Sequence, residues 1–420
     1  MTMLDAETAT TPVRPVGLGR LLTLLLPATT AMYAAFNGVQ QILVPAQVEA
    51  FDPAAKVTNL AVITALAALA SVVALPIGGA ASDRTRSRFG RRSPWIVAMS
   101  VLSAVLLLGM GLSTGIVVLA LTQVAVWFAA NLYQGAFAAI LPDRVPVARR
   151  GLASAVIGLG APLGIMVGVN LASRVGQLWA YALFGLAFAA TSVVLVLGAR
   201  EASSIDIVPP ARITRRPAQT LRAFFEAFRS RDFGFAFLSR ACLSLAYFTV
   251  SGYLFYSMQD YIGVANIPGG DVAVAVSTLA TISVATWAVV AMFTGWLADR
   301  LDRRKLFVGI SSAGLAVSML VPVLSPTWTG MVVYSVLSGA FIGTYFAVDL
   351  AVMSLVLPDK ANEGRDFGIL AVATGLPQAL SSVVAGVLLI AFDSYVALFV
   401  FGAACAFAAG LLIMRIRAIR

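Results

Sequence analysis

The sequence predicts an all-α membrane protein in which twelve transmembrane helices form two pseudo-symmetric halves of six. Hydrophobic residues make up 60% of the 420 residues, charged residues only 11%, and the mean hydropathy is +0.92. A soluble fold of this composition would leave too much apolar surface in water. The chain also repeats itself at a constant offset of 216 residues, which indicates an internal duplication. The repeat pairs Gly79, Asp83 and Arg84 with Gly295, Asp299 and Arg300.

Each of the twelve apolar stretches is long enough to cross about 30 Å of hydrocarbon as a helix. They are predicted at 20–46, 57–80, 94–113, 115–141, 151–173, 179–199, 235–259, 272–297, 306–324, 328–357, 367–391 and 394–414. The chain therefore divides into a tail (1–19), a first half (20–199), a linker (200–233), a second half (234–414) and a tail (415–420). The first tail lacks the apolar core of a cleaved signal peptide, so the first helix is expected to be retained.

Basic residues set the predicted orientation. With the N-terminus in the cytoplasm, every Lys and Arg except Lys56, Arg174 and Arg240 falls in a cytoplasmic tail or loop. The positive-inside rule then predicts a multi-pass protein of the plasma (cell inner) membrane with both termini in the cytoplasm. Within the linker, apolar residues recur at helical spacing in TLRAFFEAFRSRDFGF. This spacing predicts an amphipathic helix on the inner membrane surface, and a merely solvated linker is the alternative.

Composition excludes several classes of function. The net charge is +10, but the basic residues sit in short segments between apolar runs, so no nucleic-acid partner is expected. There is no His, and Cys242 and Cys405 lie in separate apolar stretches, so no metal or redox site is predicted. The sequence contains neither the GxxxxGK[ST] loop of an ATP-driven pump nor a channel-like selectivity filter. We expect a protein that is not an enzyme and needs no cofactor beyond a coupling ion, H⁺ or Na⁺.

A dense basic loop, GGAASDRTRSRFGRRSPW, joins the second and third predicted helices at 78–95. It is similar to the cytoplasmic signature loop of the major facilitator superfamily. Its expanded form resembles the glycoside-pentoside-hexuronide and sucrose-transporter-like branches, which are sugar-cation symporters. The resemblance implies a monomer that works by alternating access, with this loop as a cytoplasmic gate. The gate residues are Gly79, Asp83, Arg84, Arg88, Gly90, Arg91 and Arg92, with Gly295, Asp299 and Arg300 in the second copy. The alternative is that the arginines only set topology, and the second copy departs from the pattern at Asp302.

A second repeated element follows the fourth and tenth predicted helices. The segments AAILPDRVPVARRG and SLVLPDKANEGRDFG each place Pro after an apolar run and then Asp beside a basic residue. Pro stops a helix, and Asp near Arg or Lys favours an ion pair in the loop. The same superfamily branches have similar Leu-Pro-Asp and Arg-Asp-x-Gly elements. We predict a loop clasp that uses Asp143, Arg150, Asp359 and Arg365.

Polar side chains at membrane depth mark the predicted transport path, because such residues are costly in lipid and usually face the bundle interior. In the resembling superfamily, the first, fourth, seventh and tenth helices line the cavity. Amides donate and accept hydrogen bonds and aromatic rings pack on C–H surfaces, which suits a neutral polyhydroxy solute. Hydrogen bonding between helices is the alternative role. The candidate substrate residues are Tyr33, Asn37, Gln40, Gln41, Trp127, Asn131, Gln134, Tyr253, Tyr256 and Tyr345.

Asp349 is an acid in the interior of the tenth predicted helix, within YFAVDLAVMSL. A carboxyl group at membrane depth can take up and release a proton during a transport cycle. We therefore predict that Asp349 carries the coupling proton or helps to bind Na⁺, and a permanent ion pair with Arg240 is the alternative. Asp260 shares a face with Tyr253 and Tyr256 nearer the outer end of the seventh helix. It is the second candidate for cation coupling, or else a gate or ligand residue.

These features predict a secondary active transporter, and our first choice is cation (H⁺) coupled symport of a sugar, glycoside or similar small polar solute. The alternative is an H⁺-coupled antiporter that exports a drug-like or metabolite compound. Its support is the fifth predicted helix, where Gly158, Gly160, Pro162, Gly164 and Gly168 partly resemble the glycine-proline motif of drug exporters. A non-transporting sensor or assembly partner is a third hypothesis. The expected partners are a small-molecule substrate and the lipid bilayer.

Overall fold

A computed structural model describes residues 17–205, 228, 230–301, 303–355 and 363–416. These residues form twelve helices long and apolar enough to cross a membrane, and no strand. The helices are α1 (Leu18–Phe51), α2 (Lys56–Arg84), α3 (Ser93–Gly111), α4 (Ile116–Arg144), α5 (Arg150–Arg174), α6 (Gln177–Gly198), α7 (Arg231–Gly252), α8 (Val272–Leu301), α9 (Arg304–Leu324), α10 (Trp328–Leu355), α11 (Glu363–Phe392) and α12 (Val396–Met414). The prediction of an all-α fold with twelve spans is confirmed. Most of the predicted linker and most of the N-terminal tail lie outside the described residues.

The first spanning helix is built from three segments. An α-helix at Leu18–Gly38 leads into a π-helical turn at Val39–Leu43, and a second α-helix at Val44–Phe51 completes the span. Pro45 stands at the start of the last segment, where its missing N–H breaks the regular α-helical hydrogen bonding. Such π turns widen a helix locally and are frequent at functional sites. The wide turn carries two of the candidate substrate residues, Gln40 and Gln41.

Glycines set the closest helix contacts inside the first half. Gly160, Gly164 and Gly168 recur every fourth residue on α5 and face α1, where a Cβ added to Gly164 would lie 2.5 Å from Tyr33 Cβ. In the same way, Gly135 of α4 lies against the backbone of α2. Small residues at this spacing let two backbones approach closely, and in lipid this packing is a main source of helix association. Packing against α1 therefore explains Gly160, Gly164 and Gly168 of α5.

Adding one methyl group to α5 tests this packing. We expect Gly164→Ala to destabilise the fold by about 1–3 kcal/mol, because the new Cβ meets Thr30 O and Ala34 N, which are backbone atoms. The matched change Gly158→Ala meets nothing within 4 Å and is expected to leave stability unchanged or slightly higher, since Ala favours helix over Gly. The measurement is the melting temperature of each purified variant in detergent. Equal melting temperatures for the two variants would show that α1 and α5 are not held by the glycine contact.

Because the number of spans is even, the start of α1 and the end of α12 lie at the same end of the bundle. We call the end where α1 begins and α12 ends the terminal end, and the opposite one the distal end. Within the described chain, every hydrogen bond that joins the two halves lies at the distal end. The two most extensive helix pairs in this contact are α2 with α11 and α5 with α8, and α1 also contacts the chain just after α7. The halves are therefore closed against each other at the distal end.

The same helix faces separate towards the terminal end. On α11, Gly386 lies against Ala61 of α2. Gly375 lies eleven residues earlier on the same face, and a Cβ added there would meet no atom within 4 Å. On α8, Thr281 bonds to α5, but Met292, eleven residues further on, is 69% exposed. Leu159 on the facing side of α5 is 54% exposed. The described residues thus form a bundle that is closed at the distal end and open at the terminal end.

Candidate functional site

Aromatic side chains of α1 and α4 meet at the middle of the first half. The rings of Phe36 and Trp127 lie 5.5 Å apart between centroids, and Tyr33 packs edge-on against Phe36 at 6.4 Å. All three side chains are partly exposed within the bundle. The polar groups Tyr33 Oη and Trp127 Nε1 make no hydrogen bond to a described residue. The cluster therefore offers flat apolar faces with two free donors at its edges.

Amides extend this cluster along the same two helices. Gln123 of α4 donates to Gln40 of α1 over 3.4 Å, and Gln41 donates to Asn37 Oδ1 over 2.9 Å. Gln134, one helical turn beyond Asn131 on α4, is partly exposed, and its amide makes no hydrogen bond within the described chain. These amides can donate to and accept from a hydroxylated solute.

Asn131 has a different position from its neighbours. Its Nδ2 donates to Ser71 Oγ of α2 over 2.9 Å and to Trp127 O over 2.8 Å, and the side chain is buried. The amide thereby joins α2 to α4 close to the Gly135 contact. Of the two roles that its sequence position allowed, the hydrogen bonds favour the contact between helices.

A buried ion pair lies in the second half, on the terminal side of the middle. Asp349 Oδ2 of α10 is 3.2 Å from Arg240 of α7, and Asp349 is only 2% exposed. Arg240 Nε also donates to Thr374 Oγ1 of α11 over 2.7 Å, so one guanidinium links three helices. The ion pair that the sequence allowed as an alternative is thus present.

The pair is not fully satisfied. Asp349 Oδ1 and the hydroxyl of Tyr345, one turn earlier on α10, are both buried and neither makes a hydrogen bond of good geometry within the described chain, although the two side chains lie close enough to interact. A buried carboxylate oxygen without a donor carries a substantial cost, and a proton or a bound cation relieves it.

The structure places Tyr253, Tyr256 and Asp260 in the distal contact between the halves. Tyr256 Oη donates to Pro45 O over 2.9 Å, and Tyr253 Oη donates to Val57 O over 3.2 Å. Both tyrosines are fully buried in this contact. Their predicted role as substrate residues is not supported by this position, which instead makes them part of the closure.

Asp260 forms the charged part of the distal contact, with Lys56 of α2. Lys56 Nζ lies 2.8 Å from Asp260 and 2.9 Å from Glu49 of α1, and Gln259 also donates to Glu49. On the second half, Tyr395 Oη donates to Asp260. Burial, and then the hydrogen bond to the Asp260 carboxylate, raise the pKa of Tyr395 above its ordinary value. We call these five residues the distal latch, a position that favours the gate role for Asp260 over cation coupling.

A second polar contact closes the distal end between α5 and α8. Asn170 Nδ2 donates to Thr281 Oγ1 over 2.7 Å, and Ser173 Oγ donates to Ser277 Oγ over 3.0 Å. Both contacts are short and uncharged, and they lie across the bundle from the distal latch. The distal end is thus held at two separate places.

The basic loop between α2 and α3 is organised around Arg92. This side chain is 5% exposed and makes ion pairs with Asp83 and with Asp143, the latter at 3.0 Å. Arg91 pairs with the same Asp143 at 2.6 Å, and Arg92 also donates to Gly79 O over 3.3 Å. Because these partners all belong to the first half, the loop ties α2, α3 and α4 together at the terminal end.

Glu201, just after α6, completes the loop structure. Its Oε2 accepts from the backbone N–H groups of Arg92 and Ser93, at 2.9 and 3.1 Å, which are free donors at the start of α3. Gly90 has a φ of 91° and lies directly against this carboxylate, so a side chain there would be strained and would also collide with Glu201. The glycine in the signature loop is therefore required by the docking of Glu201.

The remaining gate and clasp candidates have varied positions. Arg84, Arg88 and Arg300 are exposed, and a Cβ on Gly295 would meet nothing within 4 Å. Arg150 donates to Pro142 O and Val145 O rather than to Asp143, so the predicted clasp is made across to the basic loop instead of within its own loop. Asp359 lies outside the described residues, as do the side chains of Asp299 and Arg365.

Sequence reasoning missed several residues of these clusters. Phe36 and Gln123 lie at helical spacing from Tyr33 and Trp127, so a complete count of polar and aromatic residues on those faces would have found them. Lys56 carried a clear signal, because it is one of only three basic residues in the sequence that fall outside the predicted cytoplasmic tails and loops. Glu201 carried no comparable signal, since its partners are backbone N–H groups.

Comparison with known proteins agrees with this architecture. The family described as Major Facilitator Superfamily matches residues 25–284 and 267–419. A search of curated proteins gives no match. Among solved structures, the chain is similar to a peptide transporter POT in complex with sulfate, with a TM-score of 0.71, 15% identity and coverage of 95% of this chain and 96% of that one.

A second similar structure is a bacterial homolog to the human lysosomal transporter Spinster, in an inward-facing and unoccupied conformation. Its TM-score is 0.64 and its identity 13%, with 94% of each chain covered. Likeness at these identities extends to the fold alone.

Proposed function

The chain belongs to the major facilitator superfamily, and from this premise we propose that it is a secondary active transporter that couples H⁺ to the symport of a sugar, glycoside or similar small polar solute. Transport proceeds by alternating access, in which the two halves rock about a central site. The closed distal end and open terminal end support one of the two end states of such a cycle. We further propose that the terminal end faces the cytoplasm of a plasma membrane, as the basic residues favour.

The proposed substrate site is the partly exposed face of α1 and α4. Phe36 and Trp127 supply the packing surface for the C–H face of a sugar ring, and the Tyr33 hydroxyl and Gln134 amide bind its hydroxyls. The described side chains of this face carry no charge, which favours a neutral solute.

The observation that carries the coupling proposal is the buried Asp349, which has one oxygen on Arg240 and the other beside Tyr345 without a hydrogen bond of good geometry. Protonation of Asp349 weakens its attraction for Arg240, which also holds Thr374 of α11. The proton therefore alters the link between α7, α10 and α11, and this change accompanies the rocking of the second half. A bound Na⁺ at the same oxygen would act similarly.

Proteoliposomes with an imposed pH gradient test the proposal directly. We expect radiolabelled sugars or glycosides to accumulate in the direction of proton flow, and a gradient of one pH unit supports about tenfold accumulation for a one-to-one symporter. Flux of solute against the proton flow would instead assign the antiporter. A panel of sugars, glycosides, drug-like cations and dipeptides, with empty liposomes as the control, separates the solute classes.

A further inference from the structure

Three of the predicted gate arginines, Arg84, Arg88 and Arg300, make no ion pair with a described side chain, and two of them lie at the end of a helix. Arg84 ends α2 and Arg300 lies in the last turn of α8, and both side chains are exposed. Each directly follows an aspartate, and Asp83 points into the loop towards Arg92. The two members of the first Asp-Arg dipeptide thus face different surroundings.

Each arginine ends a continuous apolar stripe on its helix. Four positions at the spacing i, i+4, i+7 and i+11 share one helical face, and every one of them is exposed on both helices. On α2 the stripe is Val73, Ile77, Ala80 and Arg84, and on α8 it is Val289, Phe293, Trp296 and Arg300. The two stripes are related by the offset of the duplication.

The stripes face lipid rather than the space between the halves. On α2, Gly78 and Ser71 mark the side packed on α4, and Ala61 marks the side that meets α11. On α8, Thr281 marks the side that meets α5, and Thr294 faces α10. By helical geometry the stripe occupies the wide arc outside both contacts on each helix. Apolar side chains as large as Phe293 and Trp296, more than 60% exposed in a spanning helix, are covered by acyl chains.

The arginines therefore lie where the apolar stripe ends, at the level of the lipid headgroups. The guanidinium of Arg300 lies over the Trp296 ring, 5.4 Å from its centroid, a geometry that holds it at the membrane interface. Arg88 lies in the same way over the exposed ring of Phe89, 4.9 Å from its centroid, in the loop beside Arg84. A guanidinium binds phosphate oxygens through two parallel N–H groups.

We propose that Arg84 and Arg300 form a pair of duplicated binding sites for the phosphate groups of anionic phospholipids in the leaflet at the terminal end. Each arginine directly follows a predicted gate aspartate, so a lipid bound there would hold the end of α2 or α8 beside that aspartate. The proposal stands independently of the identity of the transported solute.

Lipid titration tests it on the full-length protein in detergent. The melting temperature is measured against added phosphatidylglycerol, phosphatidylcholine or inorganic phosphate, and native mass spectrometry counts the lipids retained. Wild type is expected to be stabilised by phosphatidylglycerol alone. Arg84→Gln with Arg300→Gln is expected to weaken the apparent affinity roughly fivefold per arginine. The control is Arg149→Gln, which removes one exposed charge from a turn at the same end of the bundle but outside both stripes. This variant is expected to bind phosphatidylglycerol with the affinity of the wild type.

Three outcomes would overturn the proposal. They are an unchanged affinity in the double variant, equal weakening in Arg149→Gln, and equal stabilisation by phosphatidylcholine or inorganic phosphate. If the double glutamine variant does not fold, Arg84→Lys with Arg300→Lys takes its place. Lysine keeps the charge but loses the forked contact, so a weaker affinity than wild type is expected and an equal affinity contradicts the proposal.

Discussion

Asp349→Asn is expected to abolish gradient-driven accumulation while leaving downhill exchange of solute intact. The amide cannot take up or release a proton, so the tenfold accumulation expected at one pH unit falls to a ratio of about one. Exchange of labelled for unlabelled solute needs no net proton movement and continues. The measurement compares accumulation and counterflow in the same proteoliposomes. Full accumulation by the variant would show that the proton binds elsewhere.

Two controls separate coupling from folding. Asp393→Asn makes the same chemical change at an exposed position in the turn before α12 and should leave accumulation unchanged. Asp349→Asn also leaves Arg240 buried without its ion pair, which costs up to about 3–5 kcal/mol of stability. Arg240→Gln in the same chain removes that charge and should recover the melting temperature without recovering accumulation. Recovery of both would assign Asp349 a purely structural role.

Lys56→Gln is expected to open the distal end. The lysine neutralises Glu49 and Asp260 together, so its loss removes two charged contacts and leaves two carboxylates in repulsion. Both ion pairs are partly exposed to solvent, so we expect the distal-closed state to lose about 1–2 kcal/mol of stability. This loss shifts the equilibrium roughly 5–30-fold towards the distal-open state. Asp260→Asn removes one contact and relieves the repulsion, so its shift should be smaller.

The readout is the distribution of distances between spin labels in the turns at 112–115 and 325–327, which lie at the distal end of opposite halves. Cys242 and Cys405 are first replaced to leave a background without thiols. Asp52→Asn serves as the matched control, because Asp52 bonds only to Ala55 and Asn59 within its own half. A distribution that stays unchanged in Lys56→Gln would mean that uncharged contacts alone hold the distal end.

The fold was predictable because its signals are local and repeated. Twelve apolar lengths, the charge asymmetry of the loops and a constant offset each depend only on neighbouring residues or on self-comparison. The α1 and α4 residues were predictable for the same reason, since helical spacing places Tyr33 and Asn37 on one face. Spacing does not give the depth of a residue or its partner on another helix. It therefore grouped Tyr253 and Tyr256 with the substrate residues, although they contact Pro45 O and Val57 O at the distal end.

Long-range partners were the part that sequence did not specify. Asp143 pairs with Arg91 and Arg92 from 51 residues or more away, rather than with a residue of its own loop. The pair of Asp349 with Arg240 was one of two options, and only the position of α7 relative to α10 in the assembled bundle decides between them. Such pairs depend on how the helices assemble, which the pattern along any single helix does not contain.

The π-helical turn at Val39–Leu43 separates two α-helical segments of α1 and is the place where one segment can rotate relative to the other. The segment before the turn packs closely against the glycines of α5. The segment after the turn carries Pro45 and Glu49, which contact the second half at the distal end. A π turn holds one residue more than an α turn, so its relaxation to α geometry would rotate one segment against the other by roughly 100°. Gln40 and Gln41 lie within this turn, so the proposed substrate face and the point of rotation in α1 coincide.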